Sequence, residues 1–158
     1  MAMNRQVGGN HYLKLPMQPF HFTLNNGWDA GSHTILKYIS RHRNVEREEA
    51  IESLRKAYHI VEIMDQAMRE ERFVYTALAA INAPDVQSAV IPLSEYIRVN
   101  GIEEIEAVPL LYLAFWIRQE PLYISDSDKA GGSLQNLNAA MIKNAIEDIL
   151  MQRYGVSA

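Results

Sequence analysis

The clearest apolar pattern in the chain runs from Glu46 to Arg72. Ala50, Leu54, Ala57, Val61, Met64 and Met68 recur at three- or four-residue intervals, with Ile51 and Tyr58 beside them. That period predicts one long amphipathic helix. Glu46, Glu48 and Glu49 suit its positive N-terminal end. Ile60 and Ile63 fall off the stripe, which predicts a second contact for this helix, with the C-terminal half or with another subunit. Upstream, Trp28 to Arg43 reads as a helix with Ile35 and Ile39 on one face, flanked by Tyr38 and His42. His33, Lys37 and Arg41 are spaced by four and share another face. Gln18 to Asn26 predicts a short helix stopped by Gly27, and the residues before it an irregular arm.

Beyond Arg72 the texture changes. Phe73 to Asn82 is apolar, and Pro84-Asp85 can start a further helix. Pro92 and Pro109 sit inside otherwise helical patterns and are expected to kink or divide them. Asn100-Gly101 predicts a stop, and Pro121 an end to the segment from Leu110 to Gln119. Ser125 to Gly132 reads as a loop. Ser133 then caps a last helix to Tyr154, closed by Gly155. No run of alternating β-branched residues competes, so the predicted class is all-α, a compact helical domain of about six to eight helices.

Composition narrows the function classes. At 158 residues the chain can form one domain or two small ones, and the change in texture divides it into 1–72 and a C-terminal extension, 73–158, packed on it. The absence of cysteine removes disulfides, thiolate metal sites and cysteine nucleophiles. No signal peptide is evident, and the strongest apolar run, Leu110 to Ile117, is far short of the roughly 20 residues that span a bilayer. A soluble, cytoplasmic protein is expected, with no membrane partner. The net charge is −4. Up to Arg72 there are ten Lys/Arg against nine Asp/Glu, and beyond it five against ten. That balance argues against nonspecific nucleic-acid binding. It leaves room for a local anion site in the first part. The surplus of apolar surface in Ile60, Ile63 and Leu110 to Ile117 predicts association, as a homodimer.

Short motifs exclude more than they assign. There is no G-x-x-x-x-G-K-[ST] phosphate loop and no G-x-G-x-x-G. Gly8-Gly9 reads as flexible chain. Asp126-x-Asp128 begins like a calcium loop, but the position that needs a bidentate Glu is Leu137. Glu48-Glu49-x-x-Glu52 and Glu62-x-x-Asp65 match the acidic motifs of all-α nucleotide pyrophosphohydrolases, yet both fall on one helix. Glu52 and Glu62 lie about 15 Å apart along its axis. The five histidines show no zinc spacing. The His33/Lys37/Arg41 stripe is different in kind: it sets two permanent cations one turn apart, where Arg forks onto a phosphate and Lys adds a point charge.

Five pieces of sequence occur in a familiar order: His11-Tyr12, Gln18-Pro19, Ile35-Leu36-Lys37-Tyr38, Arg41 and Leu54-x-Lys56-Ala57. Through them the segment from Gly9 to Asp65, a little over one third of the chain, resembles the bacteriophage nucleotide-kinase-like family, a domain of unknown function. Some of its members are called nucleotide kinases, after one that phosphorylates deoxynucleoside monophosphates without a Walker loop. This chain departs from the family pattern at four places. His33-Thr34 stands for Gly-Asn, Ser53 for the Asp before Leu54, Ile60 for a Tyr, and Arg43-Asn44-Val45 for a lysine-rich turn.

The resemblance implies a phage-encoded nucleotide-binding protein acting in the host cytoplasm. His11, Tyr12, Lys37, Tyr38, Arg41 and Lys56 would form its nucleotide site. The N-terminal arm would lie against the two helices, the cations would take the phosphates, and Tyr12 or Tyr38 would stack on the base. As an enzyme it would be a deoxynucleoside monophosphate kinase using Mg²⁺ with a nucleoside triphosphate, and Glu62 and Asp65 are the nearest acids for the metal. The alternative is a non-catalytic module that sequesters a nucleotide signal or binds a host protein, and the absent Asp favours it. Nucleotide pyrophosphate hydrolysis is a weaker alternative, since it needs acids from two subunits to converge.

Overall fold

The computed structural model describes residues 14–70, 91–118 and 139–158. Within them the chain is all-α, with six α-helices and no strand. They are α1 (Pro19–Asn26), α2 (Ala30–Arg41), α3 (Arg47–Arg69), α4 (Leu93–Val99), α5 (Glu104–Arg118) and α6 (Ala139–Ile149). The expectations placed on Phe73 to Asn82, Pro84-Asp85, Pro121, Ser125 to Gly132 and the Ser133 cap lie outside the described residues, as do Gly8-Gly9, His11 and Tyr12.

Local chemistry sets the helix ends. Pro19 opens α1, where a missing N–H loses nothing, and Gly27 ends it in the left-handed region at φ 60°. α2 starts at Ala30 rather than Trp28 because Asp29 caps it. The Asp29 carboxylate accepts from the Ser32 N–H at 2.9 Å and from the Ser32 hydroxyl at 2.6 Å. A single 3₁₀ turn, His42–Asn44, reverses the chain into α3, whose first turn carries Glu48 and Glu49.

One apolar cluster joins all six helices. It takes Phe22 from α1, Ile35, Leu36 and Ile39 from α2, and Leu54, Ala57, Val61 and Met64 from α3. Tyr96, Leu110, Leu113, Ile117, Ile142 and Ile146 complete it from α4, α5 and α6. The cluster crosses the sequence division at residue 72, so both halves share one core. α2 packs on α3, α5 on α6, and α6 on α3.

The apolar run in α5 is used inside this single chain. Leu110, Leu113, Ala114, Trp116 and Ile117 are all buried, and Leu111 is the exposed member. Ile60 is partly buried against the core, while Ile63 stays 53% exposed. Most of the surplus that suggested association is thereby taken up internally.

The two prolines behave differently. Pro92 caps α4 in an extended conformation, and the chain before residue 91 lies outside the described residues. Pro109 does not divide α5, which runs through it. An interior proline costs about 3 kcal/mol. Burial of Leu110, Leu113 and Ile117, at about 1.5–3 kcal/mol each, outweighs that.

Asn100 and Gly101 end α4, with Gly101 at φ 59°. At the other end α6 widens into one π turn, Leu150–Tyr154, and closes on Gly155 at φ 68°. Arg47 donates to the Tyr154 carbonyl at 2.7 Å, and Arg55 to the Ser157 carbonyl at 3.2 and 2.9 Å, so α3 holds the C-terminal residues. Among the described residues no helix is long and apolar enough to cross a membrane.

Candidate functional site

α2 and α3 run antiparallel, and their shared outer edge gathers the cations. Lys37 Nζ lies 4.8 Å from the centroid of the Tyr38 ring and the Arg41 guanidinium carbon 5.0 Å from it. Both are cation–π distances. Arg41 reaches across to α3, donating from Nε and Nη2 to the Ser53 hydroxyl at 3.2 and 2.9 Å. It also pairs with Glu49 at 3.3 Å. Lys56 pairs with Glu52 one turn back on α3, at 2.6 Å.

Electrostatics tie these groups together. Burial, and then the neighbouring charges of Arg41 and Lys56, lower the Lys37 ammonium from its ordinary value. The hydrogen bond to Glu52 instead raises Lys56, and the same bond lowers Glu52. Lys37 makes no ion pair with any described residue. It is a half-buried cation between two others, and of the three it alone lacks a carboxylate. Four of the residues expected to form a site, Lys37, Tyr38, Arg41 and Lys56, are therefore neighbours. His11 and Tyr12 lie outside the described residues.

The acids named for magnesium are not among these neighbours. Glu62 is about 120° and Asp65 about 180° round α3 from Lys56. Glu62 faces α6, where Lys143 approaches it at 3.6 Å, and Asp65 is held by Arg69. Among the described residues no three His, Cys, Asp or Glu side chains form a group that could hold a metal ion.

A second polar cluster was not legible from spacing. His42, buried at 1% exposure, lies between α2 and the C-terminal turn. Its Nδ1 is 2.7 Å from the Tyr154 hydroxyl and its Nε2 3.2 Å from Glu106 Oε1. Arg153 Nε approaches the same oxygen at 3.5 Å. Burial pulls the Glu106 carboxyl upward, but the hydrogen bonds from His42 and from its own backbone, with the charges of His42 and Arg153, hold it below the usual glutamate range. A cavity of about 180 Å³ opens beside this cluster, lined in part by Lys14, Ser40, Arg43, Asn100 and Glu106. None of Lys37, Tyr38, Arg41 or Lys56 lines it.

The cluster ties α2, α5 and the C-terminal turn to one another. Its ring and carboxylate are closed off from solvent, as a structural histidine would be. Compared with models of known protein families, with curated proteins and with solved structures, the chain matches none.

Proposed function

We propose that the protein is a nucleotide-binding module that holds a phosphate at the Lys37–Arg41–Lys56 edge, with Tyr38 as an aromatic surface for the base. One observation carries this reading: Lys37 is half-buried between two cations and has no carboxylate partner among the described residues. Such a charge is unfavourable for the folded state. A phosphate placed there relieves the repulsion and receives charge-assisted hydrogen bonds from both side chains. The resemblance to the bacteriophage nucleotide-kinase-like family points to the same residues, and it would add His11 and Tyr12 from the N-terminal arm.

Binding without turnover fits this site better than phosphoryl transfer. A kinase must hold two phosphate-bearing substrates and the Mg²⁺ that comes with a nucleoside triphosphate. Glu62 and Asp65 lie on other faces of α3, and the acids beside the cations, Glu49 and Glu52, are already ion-paired. The pyrophosphohydrolase reading needs acidic motifs on facing helices, and both motifs lie on α3. Sequestration of a nucleotide in a phage-infected cell, with or without a host protein partner, is the role proposed. Of the exposed side chains that suggested a dimer, Ile63 and Leu111 are the ones left for it.

Calorimetry with the four deoxynucleoside monophosphates, with and without EDTA, beside a coupled kinase assay, tests the proposal. Saturable binding that survives EDTA, is weakened in Lys37→Ala and proceeds without turnover is the expected result. Steady turnover abolished by Lys37→Ala would replace the module with an enzyme. Absence of binding by the folded protein would remove both.

A further inference from the structure

We infer that the His33 imidazole is a fourth, proton-dependent contact for the ligand's phosphate, an inference that rests on the nucleotide-binding reading above. His33 stands where the resembled family has a different residue. It precedes Lys37 by four positions on α2, which sets the two side chains on the same face, about 6 Å apart at Cβ. A phosphate is small enough to meet both.

The ring is fixed from the α1 side. Its Nδ1 lies 2.8 Å from the Thr23 hydroxyl, and the Phe20 ring meets it edge-on with centroids 5.5 Å apart. Thr23 in turn donates to the Phe20 carbonyl at 3.4 Å. This makes a relay in which Nδ1–H gives to Thr23 and Thr23 gives to a carbonyl. The relay suits an imidazolium without rearrangement, because the hydroxyl can accept and donate at once. Nε2 is then the outward nitrogen, and no described residue bonds it.

The charged group acting on the ring is Lys37; α3 contributes none. α1 faces it with Phe20 and Thr23, which are uncharged, and the Asp29 carboxylate at the start of α2 is engaged by Ser32. Burial and Lys37 lower the ring's pKa from its ordinary 6.5, so without ligand it is neutral at pH 7. A phosphate beside Lys37 cancels that repulsion. The ring then takes a proton from solvent, and Nε2–H donates to the phosphate oxygen. Binding is thereby coupled to proton uptake, and affinity rises as pH falls.

Calorimetry with each deoxynucleoside monophosphate in two buffers of different ionisation enthalpy counts the protons taken up. His33→Gln provides the baseline, since its amide cannot become charged, and subtracting it cancels the phosphate's own titration. The expected result is greater proton uptake by the wild type near pH 7. Its affinity advantage over His33→Gln should grow from nearly none at about pH 8.5 to about tenfold at about pH 6. An imidazole NMR titration of the wild type, which needs no variant, should show the His33 pKa rising when ligand is added. Intact binding with the same pH dependence in both proteins, or a His33 pKa unmoved by ligand, overturns the role of His33 alone. Loss of all binding in folded wild type overturns the nucleotide reading, and this inference with it.

Discussion

Arg41 and Ser53 are joined twice, Nε and Nη2 of the guanidinium both donating to one hydroxyl at 3.2 and 2.9 Å. The hydroxyl in turn donates to the Glu49 carbonyl at 2.7 Å. Ser53 stands where the resembled family carries Asp. A hydroxyl orients the guanidinium as a carboxylate would but adds no negative charge, so Asp at 53 would put a second carboxylate beside Arg41 in addition to Glu49. Ser53→Asp should therefore reduce affinity for a deoxynucleoside monophosphate by about tenfold, as one charge-assisted contact is neutralised. Calorimetry beside circular dichroism checks this, and unchanged affinity in a folded variant would show that Arg41 does not face the ligand.

Lys37 and Arg41 should part company in stability. The folded pKa of Lys37 is lowered, so its charge opposes folding wherever the unfolded chain is still protonated, below its ordinary value of 10.5. Removing it loses that penalty together with a cation–π contact, and the two act in opposite directions. Lys37→Gln should thus leave stability at pH 7 within about 1 kcal/mol of wild type. What difference the charge makes should fade as pH rises through 10.5. Arg41→Ala should lower stability by about 1.5–3 kcal/mol, since it abandons Ser53 and Glu49. Urea titrations of both variants decide it; equal losses would contradict the assignment of Lys37 as a strained cation.

The helical periods of α2 and α3 were legible because a 3.6-residue repeat is a local property. Ile35, Ile39, Leu54, Ala57 and Val61 all point inward as the pattern requires. Lys37, Arg41 and Lys56 could be grouped from the order of their pieces. Spacing alone put Arg41 on a face of α2 away from Ile35 and Ile39, and it gave no hint that Ser53 receives it. Nor could any pattern join His42 to Glu106 and Tyr154, which are 64 and 112 positions away. Those contacts depend on which helices meet, and periodicity is silent about that. That α5 is not divided at Pro109 has the same origin, because the burial that carries the helix through it is tertiary.

Asn100 is a clasp whose removal should be felt at the N-terminal segment. Its Oδ1 accepts the Met17 N–H and its Nδ2 donates to the Met17 carbonyl, both at 2.9 Å. Asn100→Ala loses both bonds and should cost about 1–3 kcal/mol. Hydrogen exchange at the Met17 amide should accelerate well before exchange in α3. Unchanged protection at Met17 would mean that the segment is held by Leu15 and Pro19 packing instead.

Glu106 should give the protein its clearest acid signature. The residue is 2% exposed, with Oε1 shared between His42 and Arg153 and Oε2 without a hydrogen-bond partner among the described residues. Removing the carboxylate leaves the buried His42 Nε2 without its partner and takes one acid from Arg153, so Glu106→Ala should cost about 1–3 kcal/mol. Glu106→Gln keeps the shape and loses the charge, and should cost less. The sign of the pH effect follows from the lowered carboxyl. Its contribution is present in full above the ordinary glutamate value of 4.5 and is lost as pH falls through the lower folded value. Wild type should therefore exceed Glu106→Gln at pH 7 and converge toward it below about pH 4. Denaturant titrations at a series of pH values measure the difference directly. A gap that stays constant into acid would mean that Glu106 is neutral in the fold, and that His42 and Tyr154 hold α2 to the C-terminal turn without it.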